Sequence, residues 1–297
     1  MLEPSHRASV GRNFRNLVLR HPDSRDPISC LQLSENDGLD KQLRLQLSLK
    51  YMRQQDVIHA GQENESRRLD AGSIDLRDHG GQFAIGNFSI NGTISKVLVE
   101  WRSYWQSSAE EEVNQELFER VKVVAHVMGL DKVLELCVLR CHGYFHNETK
   151  LAFGMVYGFP EPAATAQNCE MLSLQEIFIN TQNKEHQPPL EHKYKLAFLL
   201  ARAISEFHKV GWVHKNITSG NVVFFSNSTR PHGQRVAEPY LTGFHHCRPD
   251  EPSAFSEGIS KSINEKYQHF KYLRDRERYI SKYGYYSLSL VLLEIGY

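Results

Sequence analysis

The pattern of hydrophobic and polar positions divides the chain into a polar N-terminal part and a longer part with regular apolar periodicity. Residues 1–75 are polar and irregular except for "LRLQLSLKY", where leucines at alternate positions predict one amphipathic strand. Near Gly80 the pattern changes, and "GQFAIGNFSINGTISKVLVEWRSY" predicts two strands joined by a turn at "NGT". The second of these strands is "KVLVEW", so the first regular unit is predicted to be a β-hairpin.

Apolar residues at helical spacing follow the hairpin and return later in the chain. "SAEEEVNQELFERVKVVAHVMG" predicts a helix that ends at Gly129 and buries Leu117, Val121, Val124 and Met128. A second strand pair, "CVLRCHGYF" and "KLAFGMVYGFP", is joined by the polar turn "HNET". "LSLQEIFIN" and "LEHKYKLAFLLARAISEFHKVG" then predict two helices, and the second has an apolar face made of Leu196, Leu200, Ala203 and Phe207.

Because strands with one helix come first and helices follow, the order of elements predicts a two-lobed α+β fold. Its parts are a polar segment at 1–75, a β-rich lobe at 76–160 and a mainly helical lobe at 161–297. The last predicted helix, "YYSLSLVLLEIGY", is nearly all apolar, so we expect it to need cover on every side. A protein partner, further helices of a longer chain, or the leucine strand near the N-terminus could supply that cover.

Composition narrows the classes of partner and compartment. The 297 residues carry 35 basic and 35 acidic side chains, so no global charge attracts nucleic acid or an anionic membrane. No apolar run reaches the roughly 18 residues that span a bilayer, and the N-terminus lacks the apolar stretch of a signal peptide. The five cysteines are scattered without a CxxC pair, which favours reduced thiols in a cytoplasmic protein over a metal site at "CVLRCH" or "HHC".

The stretch "GWVHKNITSGNVVFF", residues 211 to 225, places a His, a turn and an Asn between an apolar helix and an apolar strand. Together with "VLVEW" and "YSLSLVLLEIGY", in this order, it resembles a protein kinase domain over about residues 80 to 297. The resemblance is greatest to kinase-like domains of fungal proteins with heterokaryon-incompatibility and innate-immune architectures. It implies a kinase-like two-lobed fold whose C-terminal lobe stops after its central helix.

The resemblance also implies where a nucleotide would bind. "VLVE" matches the V-A-I-K strand, so Glu100 stands in place of the lysine that pairs with the phosphates, and Leu98 in place of a small alanine. Glu119 matches the glutamate that normally pairs with that lysine, and Tyr157 belongs to the same degenerate nucleotide pocket. Glu100 could also lie on a solvated strand face. The glycines at 80, 81, 86 and 92 do not form G-x-G-x-x-G and are better explained as turn residues.

The loop itself matches H-R-D-x-x-x-x-N with its catalytic residue exchanged. His214 and Asn221 are retained, Asn216 replaces the aspartate, and Thr218 replaces a phosphate-contacting lysine. An amide cannot accept a proton at neutral pH, so the general base is missing. We expect His214 to link the loop to the core and Asn221 to tether the loop through hydrogen bonds.

The remaining matches follow the same rule, since groups needed for chemistry are replaced and groups needed for packing are kept. "GFH" matches the magnesium-binding D-F-G segment, with Gly243 in place of the aspartate and Phe244 retained for packing. The neighbouring His245, His246 and Cys247 are expected to alternate along a strand, which would prevent them from converging on one metal ion. Gly284 matches the aspartate that anchors the catalytic loop.

These matches predict a catalytically inactive kinase-like domain, or pseudokinase, that binds protein partners and needs no cofactor. The alternative is an atypical active kinase that uses ATP and magnesium through substitute residues, with Asp250 and Glu251 for the metal and Lys96 for phosphate. A third possibility is an incomplete gene product without a stable function.

Overall fold

The computed structural model describes 67–77, 81–90, 92–104, 117–118, 120–122, 124–125, 128–129, 137–161, 163–164, 169–180, 187–209, 211–227, 236, 238–250, 264–275 and 277–297. The leucine strand predicted near the N-terminus lies outside these residues, as do Gly80, Glu119 and Glu251.

The first half of the described chain forms a five-stranded antiparallel sheet with the order β1-β2-β3-β5-β4. Its strands are β1 (Ile74–Arg77), β2 (Phe83–Ile90), β3 (Thr93–Ser103), β4 (Cys141–Asn147) and β5 (Ala152–Gly158). Ile90 pairs with Thr93, and Gly92 has a φ of 80°, as a two-residue hairpin turn requires. The predicted hairpin is confirmed, although β3 extends beyond "KVLVEW" at both ends.

The sheet is buried on both faces at β3, and this places charged groups in the interior. Val97 and Val99 pack on one face in a small apolar cluster with Phe88 and Phe145. Leu98 belongs to the main core on the other face. Since side chains alternate along a strand, Glu100 and Arg102 point to the same side as Leu98, and both are buried.

The segment after β3 is helical at each of its described residues between 117 and 129, including Gly129 itself. All four residues of its predicted apolar face, Leu117, Val121, Val124 and Met128, are buried, so this prediction is confirmed. Phe118 of this segment stacks on Phe153 of β5, which fixes the segment against the sheet. The β4–β5 turn lies two residues later than predicted, because the bond from Leu151 N to Glu148 O closes it.

The second half combines helices with short strands. A three-stranded sheet has the order β6-β8-β9, formed by β6 (Cys169–Ser173), β8 (Val222–Asn227) and β9 (Tyr240–Leu241). β7 (Trp212–Val213) pairs with β10 (Arg248–Pro249). The helices are α1 (Leu174–Asn180), α2 (Leu190–Lys209), α3 (Phe270–Arg274) and α4 (Ser281–Gly296). The chain is thus a mixed α+β protein with antiparallel sheets, and the finer prediction of a two-lobed kinase-like fold stays a prediction.

Helix α1 begins two residues after its predicted start because a capping box sets its boundary. Ser173 Oγ accepts a hydrogen bond from Glu176 N at 3.1 Å, and Glu176 Oε2 accepts one from Ser173 N at 2.7 Å. Leu172, predicted as helical, therefore lies in β6.

Helices α2 and α4 pack against each other. The predicted inner face of α2 is confirmed, since Leu196, Leu200, Ala203 and Phe207 are all buried. The chain itself buries one face of α4, formed by Tyr283, Gly284, Ser287, Leu288, Val291 and Ile295. The expectation of an uncovered helix therefore applies only to the opposite side, where Tyr285 and Leu293 are exposed. Among the described residues, no helix combines the length and the apolar character that crossing a membrane requires.

Candidate functional site

The loop between β7 and β8 is held by its own side chains. Asn221 Nδ2 donates a hydrogen bond to the carbonyl oxygen of Asn216 at 2.9 Å, as expected from the sequence. Thr218 caps the short 3₁₀ turn at Ser219–Asn221, because its Oγ1 accepts from Asn221 N at 3.2 Å. Both asparagines and the threonine are buried. The loop is thus a fixed part of the interior.

His214 joins this loop to the core. Its ring is 1% exposed and packs edge-on against Phe244, with 4.7 Å between the ring centroids. Its Nδ1 accepts a hydrogen bond from Asn216 N at 3.3 Å. Burial lowers the pKa of His214 to about 4, although the Glu100 carboxylate acts in the opposite direction. At neutral pH the ring is uncharged and serves as an acceptor inside the core.

Gly243 occupies a place that a larger residue could not take without local movement. Its φ of 86° lies in the left-handed region, which is unfavourable for residues with a Cβ. A Cβ added there would lie 3.0 Å from Asn221 Nδ2 and 3.3 Å from Asn216 Nδ2. The two amide side chains therefore occupy the space into which a metal-binding aspartate at this position would project.

Glu100 is the charged centre of the site. The residue is fully buried, so the alternative of a solvated strand face is wrong. Its Oε1 lies 2.8 Å from Nδ1 of His245, a contact that brings β3 against the segment after β9. Burial raises the pKa of Tyr157 well above its ordinary value, and the negative charge of Glu100 raises it further. Tyr157 pairs with Leu98 across β5 and β3, and both are buried.

A glutamine spans the two sides of the site. Gln82 is itself exposed, and its Nε2 donates to Asn221 Oδ1 at 3.0 Å. The same nitrogen lies 3.5 Å from Glu100 Oε1. The amide of Gln82 thus links the sheet to the loop.

The His-His-Cys segment differs from its prediction. Phe244–His246 forms a 3₁₀ turn rather than a strand, and His245, His246 and Cys247 are all buried. Burial raises the pKa of the Cys247 thiol, as does the nearby Glu100 charge, so the protonated form is favoured. Within the part of the chain that the structure describes, no group of three His, Cys, Asp or Glu residues could hold a metal ion.

Asp250, one of the substitute metal ligands in the alternative, has structural partners. Its Oδ1 accepts from an Arg278 nitrogen at 3.3 Å, and its Oδ2 accepts from Ser281 N at 3.2 Å. Ser281 is the first residue of α4, so this carboxylate caps the positive end of that helix. Lys96 is partly buried in β3. Burial raises the pKa of the Cys169 thiol, and the positive charge of Lys96 offsets part of this rise.

The motifs in the sequence did not indicate that Gln82 and His208 belong to this region, and they presented His245 only as a possible metal ligand. His208 fills the space beside Gly284, since a Cβ on that glycine would lie 2.9 Å from the imidazole ring. The pKa of His208 is lowered to about 4 by burial, so this ring is also uncharged at neutral pH. A useful signal for Gln82 was its position next to Phe83, because Phe83 pairs with Glu100 in the hairpin register.

No protein-family model matches this chain, and no curated protein is significantly similar to it in sequence. Function is therefore inferred from the geometry of the site.

Proposed function

We propose that this chain is a catalytically inactive kinase-like domain that acts by binding other proteins. The observation that carries the proposal is the contact between Glu100 and His245 at 2.8 Å, accompanied by the bond from Gln82 to Asn221 at 3.0 Å. These side chains lie between the five-stranded sheet and the β7–β8 loop. In a kinase of the kind that the sequence resembles, magnesium and the nucleotide phosphates would occupy the corresponding space.

The electrostatics of the site also favour an inactive protein. Phosphoryl transfer depends on a cation for the phosphates, carboxylates for magnesium and a carboxylate that positions the hydroxyl group. The resemblance assigns Glu100, Gly243 and Asn216 to the three corresponding positions. A buried carboxylate repels a triphosphate, and the other two residues supply neither a metal ligand nor a base.

The order of elements supports a kinase-like arrangement. A hairpin leads into β3, helical residues follow, and β4 and β5 complete the sheet before the chain enters its helical part. The loop with Asn216 then lies between α2 and β8. This is the succession that the resemblance implies, and a role in incompatibility or immune signalling of the fungal type accompanies it as part of the proposal.

Nucleotide titration tests the proposal directly. We expect no change in the thermal unfolding midpoint with millimolar ATP, with or without magnesium, while an active kinase prepared in parallel is stabilised. We also expect no transfer of labelled phosphate to the chain or to generic protein substrates. Phosphate incorporation that disappears in an Asp250→Asn variant would instead support the atypical kinase and overturn the proposal.

A further inference from the structure

The outer face of α2 carries an unusual row of large apolar side chains. Leu190, Tyr194 and Phe198 are 67%, 70% and 62% exposed. They follow each other at intervals of four residues, so they form one ridge along the helix. The opposite face of α2 is buried in the core.

Such a ridge has the geometry of a helix-binding surface. Single exposed apolar residues are common and need no explanation, but three in line form a continuous strip. Rows at intervals of four residues are the ridges that fit into the grooves of a second helix. The ridge also lies on a helix whose other side is fixed in the core, so it is rigid before any partner binds.

Charges beside the ridge indicate which helix would fit. Lys195 is exposed next to Tyr194, and Lys193 lies half-buried on its other side, while Glu191 is the acidic residue in the first turn of the helix. In a two-fold antiparallel pairing of two copies centred on Tyr194, Lys193 of one copy would face Lys193 of the other. Like charges in that position oppose self-association, whereas acidic side chains on a different helix would be attracted.

We infer that the ridge formed by Leu190, Tyr194 and Phe198 is a docking site for an amphipathic helix of another protein, one with an apolar row flanked by Asp or Glu. This inference rests on the proposed function, since it names the surface and the partner chemistry of a protein-binding domain. The two lysines beside the ridge are fewer than the clusters of about four to eight basic residues that bind anionic membranes.

The test is a selection from displayed helical peptides. Each peptide has leucines at intervals of three and four residues, and its flanking positions vary among Glu, Gln and Lys. The intact chain is the bait, and we expect the selected peptides to be enriched in Glu at the flanks. Their affinity should fall at least about tenfold with Tyr194→Gln/Phe198→Gln, the effect typical of removing two aromatic anchors.

Two further variants make the outcome specific. Lys193→Glu/Lys195→Glu should shift the selection toward Lys at the flanks. Ile94→Thr, which changes an equally exposed residue on the β2–β3 hairpin, should leave affinity unchanged. Failure to enrich any peptide, enrichment of neutral or basic flanks, or equal loss with Ile94→Thr would overturn the inference.

Other occupants would be recognised by separate measurements. A dimer that the Tyr194→Gln/Phe198→Gln variant abolishes in sedimentation would assign the ridge to a second copy of the chain. Binding to phosphatidylserine vesicles that requires the same two residues would assign it to a membrane. Either result overturns the inference, while nucleotide titration of the unchanged chain decides the proposed function independently.

Discussion

The site around Glu100 and the outer ridge of α2 depart from the usual distribution of side chains in opposite directions. Around Glu100, polar and ionisable groups are buried and contact one another, as in the 2.8 Å approach of His245. Along α2, Leu190, Tyr194 and Phe198 are exposed. Burying polar groups costs free energy unless they are paired. Exposing apolar side chains forgoes the stabilisation that their burial would provide.

The two regions are therefore expected to have different roles, one in stability and the other in binding. The buried groups stabilise each other, so changing one of them should lower the free energy of unfolding. The ridge contributes little to the fold, so changing it should affect binding and leave stability almost intact. Substitutions in the two regions can therefore test this division.

Replacing Glu100 by lysine should destabilise the chain strongly. The new cation would face His245 and would lie on the same side of β3 as the buried Arg102, and no buried negative charge would remain in place of the carboxylate. Leaving a buried charge without an opposite partner costs about 3–5 kcal/mol. The change is measured as the free energy of unfolding in urea, and Glu100→Gln, which keeps the shape and removes only the charge, should cost less.

The same substitution distinguishes a blocked nucleotide site from a merely altered one. Neither Glu100→Lys nor Leu98→Ala/Glu100→Lys should bind ATP, because Gln82, Asn221 and His245 still occupy the space. If the double variant folds normally and its thermal unfolding midpoint rises by several degrees with ATP, the site is open. The buried polar groups around Glu100 would then not fill it.

Acid should destabilise the chain through His214. Its pKa is about 4 in the folded chain and near 6.5 when unfolded, so the unfolded state binds the extra proton as the pH falls between these values. Above about pH 6.5 protonation of His214 does not lower the free energy of unfolding. As the pH falls to 4, this protonation lowers the free energy of unfolding by about 3 kcal/mol.

Unfolding measured from pH 7 to pH 4 tests this expectation, with His214→Phe as the matched variant. Phenylalanine keeps the packing against Phe244 and cannot bind a proton, so the pH dependence should become shallower by that amount. The pKa values of His208 and His246 are also lowered by burial, so these two residues should account for the pH dependence that remains in the variant. An unchanged slope in the variant would contradict the assignment to His214.

Placing a methyl group at residue 284 should have a moderate effect. The Cβ of Gly284→Ala would lie 2.9 Å from the His208 ring, and overpacking of this kind costs about 1–3 kcal/mol. Removing the ring in His208→Ala should make the alanine at 284 much better tolerated, which a double-mutant cycle measures. Additive losses in that cycle would show that the two residues do not compete for the same space.

Features of the fold that depend on short segments could be predicted from the sequence. Features that depend on contacts between residues far apart in the sequence could not. Asn-Gly identified the hairpin, and helical periodicity identified the buried face of α2. The start of α1 was placed too early, since apolar Leu172 continued the helical pattern while Ser173 and Glu176 formed the actual boundary. The burial of Glu100 could not be predicted from β3 alone.

The reason is that the partners of this site are far apart in sequence. Gln82 and Asn221 are separated by 139 residues, yet they form the bond that links the sheet to the loop. The replacement of catalytic residues was visible from the motifs, because each motif is a short segment. Which side chains fill the resulting space depends on how the two halves meet, and no single segment carries that information.

The smallest effect on stability is expected on the ridge of α2. Tyr194→Gln/Phe198→Gln removes two exposed aromatic side chains and keeps good helix-forming residues, so the free energy of unfolding should change by no more than about 0.5 kcal/mol. The same variant should lose binding to the selected acidic peptides. Urea unfolding and peptide titration on one preparation measure both quantities, with Ile94→Thr as the surface control. If the ridge variant instead unfolds several kcal/mol more easily, these side chains support the fold, and their exposure is not evidence for a partner.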